Sequence, residues 1–106
     1  MFLVVDQDGN LSVYPTAQTA AEYMETNDFN GVDEEHEMCD DNGQRYIADI
    51  IEPERVGGGT LRFVPAGDRD PALPASFVER SRDLSSHIPW VKTMDDIRRE
   101  LWRAKA

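Results

Sequence analysis

The chain opens on a continuous apolar run, Phe2-Leu3-Val4-Val5, rich in β-branched and aromatic residues. A short run of this kind reads as a buried strand. Turn chemistry follows in Asp6-Gln7-Asp8-Gly9-Asn10, and Leu11-Ser12-Val13-Tyr14 then alternates apolar and polar positions. That is the period of a half-buried return strand, so residues 2–14 form a predicted β-hairpin. The period then changes. Behind Pro15, the residues Ala17, Ala20, Ala21 and Met24 share one helical face, and Thr16 stands where an N-cap belongs. The face is made of small side chains, which predicts a helix lying close against a sheet and ending near Thr26-Asn27-Asp28.

Two more strands are predicted over His36–Asp40 and Arg45–Ile51, joined by Asn42-Gly43 as a two-residue hairpin turn. Another runs over Thr60–Val64 after the turn Gly57-Gly58-Gly59. Leu73, Phe77 and Leu84 predict a helix from about Leu73 to Ser85, with Pro74 in its first turn. His87 to Lys92 reads as an irregular link. A last helix starts behind Thr93, where Thr93-Met94-Asp95-Asp96 forms a capping box with Asp in place of Glu. The order β-β-α-β-β-β-α-α predicts an α+β fold: a mostly antiparallel sheet of about five strands, one helix after the first hairpin and two C-terminal helices. At 106 residues the chain reads as one domain, 1–106.

Charge changes the picture. Residues 1–54 hold 14 acids and one base, Arg45, for a net −13. Residues 55–106 hold 7 acids and 10 bases, for a net +3, and the two halves give the whole chain's −10. A charge that negative argues against nucleic acid or an anionic membrane as partner. The uneven division argues for a surface that meets a basic partner. Twelve carboxylates lie between Glu22 and Glu54, and Asp33-Glu34-Glu35-His36-Glu37 is the tightest cluster. No run is long and apolar enough to span a bilayer, and the first residues lack a basic leader pattern, so a cytoplasmic protein is expected.

Candidate chemistry is thin. Asp6, Asp8 and Asn10 copy the start of a calcium loop, but Leu11 stands where it needs Gly and Ala17 where it needs Glu. Glu35 and Glu37 share one face of a strand, yet no nucleophile or basic neighbour organises them for acid–base work. His36 and Glu37 point to opposite faces and do not converge on a metal. Cys39 sits beside Asp40-Asp41, which disfavours a thiolate. Gly57-Gly58-Gly59 is not followed by Lys-Ser or Lys-Thr, so there is no phosphate loop. Trp90 and Trp102 read as packing residues, with Trp90 also placed for contact in its loop. No enzyme activity, cofactor or metal is expected. The rival is a small cytoplasmic enzyme using these carboxylates, with or without a metal; an adaptor for some other basic partner is the third reading.

The stretch from Tyr14 to Tyr46 adds a resemblance. A Pro-led helix precedes the acidic segment Asn27-Asp28-Phe29-Asn30-Gly31-Val32-Asp33-Glu34-Glu35-His36-Glu37, then a strand and Asp40-Asp41-Asn42-Gly43-Gln44. This layout resembles small acidic immunity proteins of bacterial polymorphic toxin systems, delivered by contact or by type VI secretion. The resemblance implies an antitoxin of interbacterial competition, active in the cytoplasm. It would bind a cognate toxin domain with a basic active-site cleft and occlude that cleft. Its partner-binding residues are then Asp28, Phe29, Val32, Asp33, Glu34, Glu35, Glu37, Asp40 and Asp41. Charge would steer the encounter, and Phe29, Val32 and Met38 are the candidate apolar anchors.

Overall fold

The structure is a computed structural model and describes residues 1–24, 36–51 and 60–105. The elements are β1 (Phe2–Asp6), β2 (Asn10–Tyr14), α1 (Ala17–Tyr23), β3 (His36–Asp40), β4 (Arg45–Ile51), β5 (Thr60–Pro65), α2 (Leu73–Arg80), β6 (Asp83–Ser86) and α3 (Met94–Lys105). The strands make one sheet in the order β5-β4-β3-β1-β2-β6. All neighbours run antiparallel except β2 and β6, which are parallel. The fold is therefore α+β with a mostly antiparallel sheet.

Both faces of the central strands are covered, and this explains the unbroken apolar run of β1. Leu3, Val5, Leu11, Val13 and Cys39 face α2 and α3, where Phe77, Val78, Ile97 and Leu101 complete one core. Phe2, Val4, Tyr14, Met38 and Phe63 face the other way and meet Ala20 of α1. The small-residue face of α1 thus does what its sequence predicts. The covering is incomplete at the β4–β5 edge, where Ile47 stands 55% exposed.

Two hairpin turns share one design. In the first, Asp6 Oδ1 accepts the N–H groups of Asp8 and Asn10, each at 2.9 Å, and Gly9 closes the turn at φ 83°. In the second, Asp40 Oδ1 accepts those of Asn42 and Gln44 at 2.9 and 3.0 Å, and Gly43 closes the turn at φ 84°. Only glycine adopts that conformation freely. The pairs Cys39↔Arg45 and Met38↔Tyr46, with the Asp40 N–H donating to the Gln44 carbonyl, leave Asp41 to Gly43 as the loop. This loop is one residue longer than the expected two-residue turn, because a left-handed glycine after the turn continues the strand twist.

The ends of α2 are tied to these same two turns. Asp70, before the helix, donates its N–H to the Gly43 carbonyl at 3.0 Å; Arg82, after it, donates to the Gly9 carbonyl at 2.8 Å. The helix ends at Arg80, not at Ser85. Ser81 takes an extended backbone, its hydroxyl donates to the Phe77 carbonyl, and β6 follows. Spacing misleads here: Leu84 reaches the core through its pairing with Leu11, not along a helix. Asp83-Leu84-Ser85-Ser86 is a poor helix former, and the free edge of β2 supplies the strand partner.

The caps are local and hold as expected. Thr16 and Thr19 exchange side-chain and backbone bonds at 3.1 and 3.0 Å. Asp96 Oδ2 accepts from the N–H groups of Lys92 and Thr93 at 2.8 and 3.0 Å, and Thr93 Oγ1 accepts from Asp96 N–H at 3.2 Å. These bonds hold the Asp96 carboxyl below its ordinary value of 3.8. For Asp6, burial pushes the other way, but the bonds from Asn10 and Asp8 outweigh it and the carboxyl is again lowered. Carboxyls lowered by folding contribute stability that is present above the unfolded value and lost as pH falls through the folded value. The urea midpoint is therefore expected to decline below pH 3.8, and the Asp6→Asn, Asp96→Asn double variant to flatten that decline. An unchanged slope in the double variant would place the acid sensitivity elsewhere.

Candidate functional site

Of the predicted partner-binding residues, Asp28, Phe29, Val32, Asp33, Glu34 and Glu35 lie outside the described residues, as does the Gly57-Gly58-Gly59 turn. Glu37, Asp40 and Asp41 are described, and the fold employs all three. Glu37 is in register with Val5 and lies on the α2 side of β3, where its Oε2 is 2.6 Å from Arg80 Nη1. Its Oε1 is 3.9 Å from Arg45 Nη1. The Arg80 guanidinium also lies over the Phe77 ring, 4.9 Å from its centre. Asp40 spends one oxygen on the turn and the other on the Tyr46 hydroxyl at 3.4 Å. Asp41 pairs with the Met1 amine at 3.3 Å.

These three carboxylates do not converge. Glu37 and Asp40 are an odd number of positions apart on one strand, so they project from opposite faces. Their clustering in sequence therefore does not become a cluster in space. Met38 is 3% exposed and belongs to the α1-side core, which removes it as a surface anchor. Burial, with the Asp40 charge beside it, pushes the Cys39 thiol up to about 12. A thiol that far from ionisation is a core side chain and not a nucleophile. Burial and Asp40 likewise raise the Tyr46 hydroxyl. Asp6 uses both carboxylate oxygens on its own turn, Oδ2 accepting from Asn10 Nδ2 at 3.1 Å. Among the described residues, no group of three or more His, Cys, Asp or Glu is arranged to hold a metal ion, and no helix is long and apolar enough to cross a membrane.

No protein family, characterised protein or solved structure matches the chain. The site is therefore argued from its own geometry. Among the described basic residues, Arg98, Arg99 and Arg103 of α3 pair with Asp95, Asp96 and Glu100 three residues earlier, while Arg62 and Arg80 pair with Asp49 and Glu37 of the acidic half. Exposed ion pairs of this kind contribute about 0–1 kcal/mol each and leave the helix a near-neutral surface.

Tyr23 and the rings beside it are the feature that sequence reasoning passes over. Tyr23, at the end of α1, is 67% exposed. Its ring lies 4.2 Å from that of His87, and His87 stacks on Tyr14 at 4.4 Å with the planes 3° apart. The His87 N–H is bonded to the Val13 carbonyl, which fixes the foot of the stack to β2. The available signal was that Tyr23 falls off the Ala17–Ala20–Ala21–Met24 face. Trp90, expected to pack, is also 67% exposed in its loop. Trp102, expected to pack, is 75% exposed and forms one wall of a groove of about 190 Å³ between α2 and α3, floored by Val78 and Leu101. It lies one position beyond Leu101 on α3, about 100° round the helix from the buried stripe.

Proposed function

We propose that the chain is an immunity protein. It binds a cognate interbacterial toxin domain through its acidic half, occludes the toxin's active site, and catalyses nothing itself. The observation that carries this reading is the division of charge, −13 over residues 1–54 against +3 over residues 55–106. The described carboxylates of β3 and its turn work inside the fold. The charge proposed to meet the partner is that of residues 25–35, which hold five acids and no base. A basic cleft built for phosphate-bearing substrates attracts such a segment, and complementary charge raises association rates toward about 10⁸–10⁹ M⁻¹s⁻¹ at low salt.

The test is protection in cells. Coexpression of the chain with the toxin domain encoded by the adjacent upstream gene is expected to restore growth, and the two proteins to copurify in a fixed ratio. Neutralising Asp28, Asp33, Glu34 and Glu35 together is expected to slow association by about tenfold or more and to weaken its salt dependence. Glu37, Asp40 and Asp41 are left intact in that variant because each already has a bonded partner within the fold. Undiminished killing in the presence of the intact chain would end the immunity reading.

A further inference from the structure

We propose that Tyr23, braced by His87 and Tyr14, is the anchor on which an arginine side chain of a basic protein partner stacks. This rests on the reading above, and it moves the anchor from Phe29 to a described residue. Three observations support it. The first is the ring assembly. Tyr23 is 67% exposed, yet it is held from behind by His87 at 4.2 Å and by Tyr14 at 6.0 Å. Tyr14 is 4% exposed, so the base of the stack belongs to the core. Most exposed tyrosines lose rotamer freedom when a partner covers them; one already fixed by neighbouring rings loses less. A large, rigid aromatic with an open face is the kind of residue that dominates binding energy.

The second observation is electrostatic. The last turn of α1 carries Glu22 and no basic residue, so nothing there offsets the negative end of the helix. The third is in the sequence: Glu22 and Glu25 flank Tyr23, and no Lys or Arg precedes Arg45. A cation approaching the Tyr23 ring therefore meets the negative end of α1 and an aromatic face together. Guanidinium suits this better than ammonium, because it is planar, weakly hydrated and stacks on aromatic rings.

The probe is an octaarginine peptide, titrated into the full chain and followed by the ring resonances of Tyr23 and His87. Both are expected to shift on binding, and octalysine is expected to bind more weakly. Tyr23→Ala is expected to lower octaarginine affinity about fivefold, while Tyr23→Phe, which keeps the ring, stays within about twofold of wild type. An exposed side chain is replaced in both variants, and matching thermal melts will show the fold intact. Equal affinity across wild type, Tyr23→Ala and Tyr23→Phe would overturn the anchor, as would unmoved Tyr23 and His87 signals in the peptide complex. The cell-protection assay separates the two claims. Protection that survives Tyr23→Ala alongside unchanged octaarginine affinity removes the anchor and leaves the function standing. Failure of the intact chain to protect removes the function, whatever octaarginine does.

Discussion

Replacing Gly43 with Ala is expected to destabilise the protein by about 4 kcal/mol, through two costs that add. Gly43 sits at φ 84°, where a side chain is strained, and holding a non-glycine residue there costs about 1–3 kcal/mol. A Cβ at this position would also overlap the Asp70 carbonyl and come within 3.0 Å of Pro71 N. Backbone is the obstacle, so the segment entering α2 must shift. Overpacking of this kind adds about 1–3 kcal/mol. For a domain of this size, the melting temperature should fall by roughly 15–30 °C. Gly9 provides the internal comparison. It has nearly the same φ, 83°, but a Cβ there would meet nothing closer than the Arg82 side chain at 3.5 Å. Gly9→Ala should therefore pay only the dihedral cost, about 1 kcal/mol. Equal melting temperatures for the two variants would show that the bond between Asp70 and Gly43 is not a rigid tie.

Phe77→Ala should cost about 3–5 kcal/mol, a large part of the 5–15 kcal/mol that such domains possess. Phe77 is fully buried in the core beneath α2 and α3, and its truncation leaves a cavity that strands on one side and helices on the other cannot both close. The loss extends to the surface. Arg80 rests over this ring and from there reaches Glu37, so the variant also frees the cation from its aromatic support. Phe77→Leu keeps most of the volume and should cost under about 1.5 kcal/mol. Urea denaturation of the two variants checks both figures. A Phe77→Ala loss below about 1 kcal/mol would mean that α2 is not packed on the sheet as described.

The candidate site was legible in sequence only where its chemistry is local. The acidity of residues 25–35 needs no fold to be seen. The pairings of Glu37 and Asp40 inside the fold do need it, and nothing in residues 36–41 alone announces them. Glu37 is claimed by Arg80, which arrives from 43 residues away, and Asp40 turns back into its own hairpin loop. The Tyr14–Tyr23–His87 stack was invisible for the same reason. Its members come from β2, from α1 and from the link after β6, and no spacing rule connects residue 23 with residue 87.

What the sequence by itself determined is whatever rests on contacts between close neighbours in the chain. Both Asp-x-Asp/Asn-Gly turns, the Thr16 and Thr93–Asp96 caps, the strand over Phe2–Val5 and the small face of α1 all follow from side-chain bonds or periodicity within a few residues. Those elements suffice for the α+β class and the antiparallel hairpins. Only the tertiary structure decided the rest. Residues 83–86 are a strand because β2 offers an unpaired edge, although Phe77 and Leu84 keep a helical spacing. Leu101 is buried while Trp102 beside it is exposed, because α2 covers only one stripe of α3. In each case the deciding partner comes from another element, and a free-energy term contributed by that element overrides the local preference.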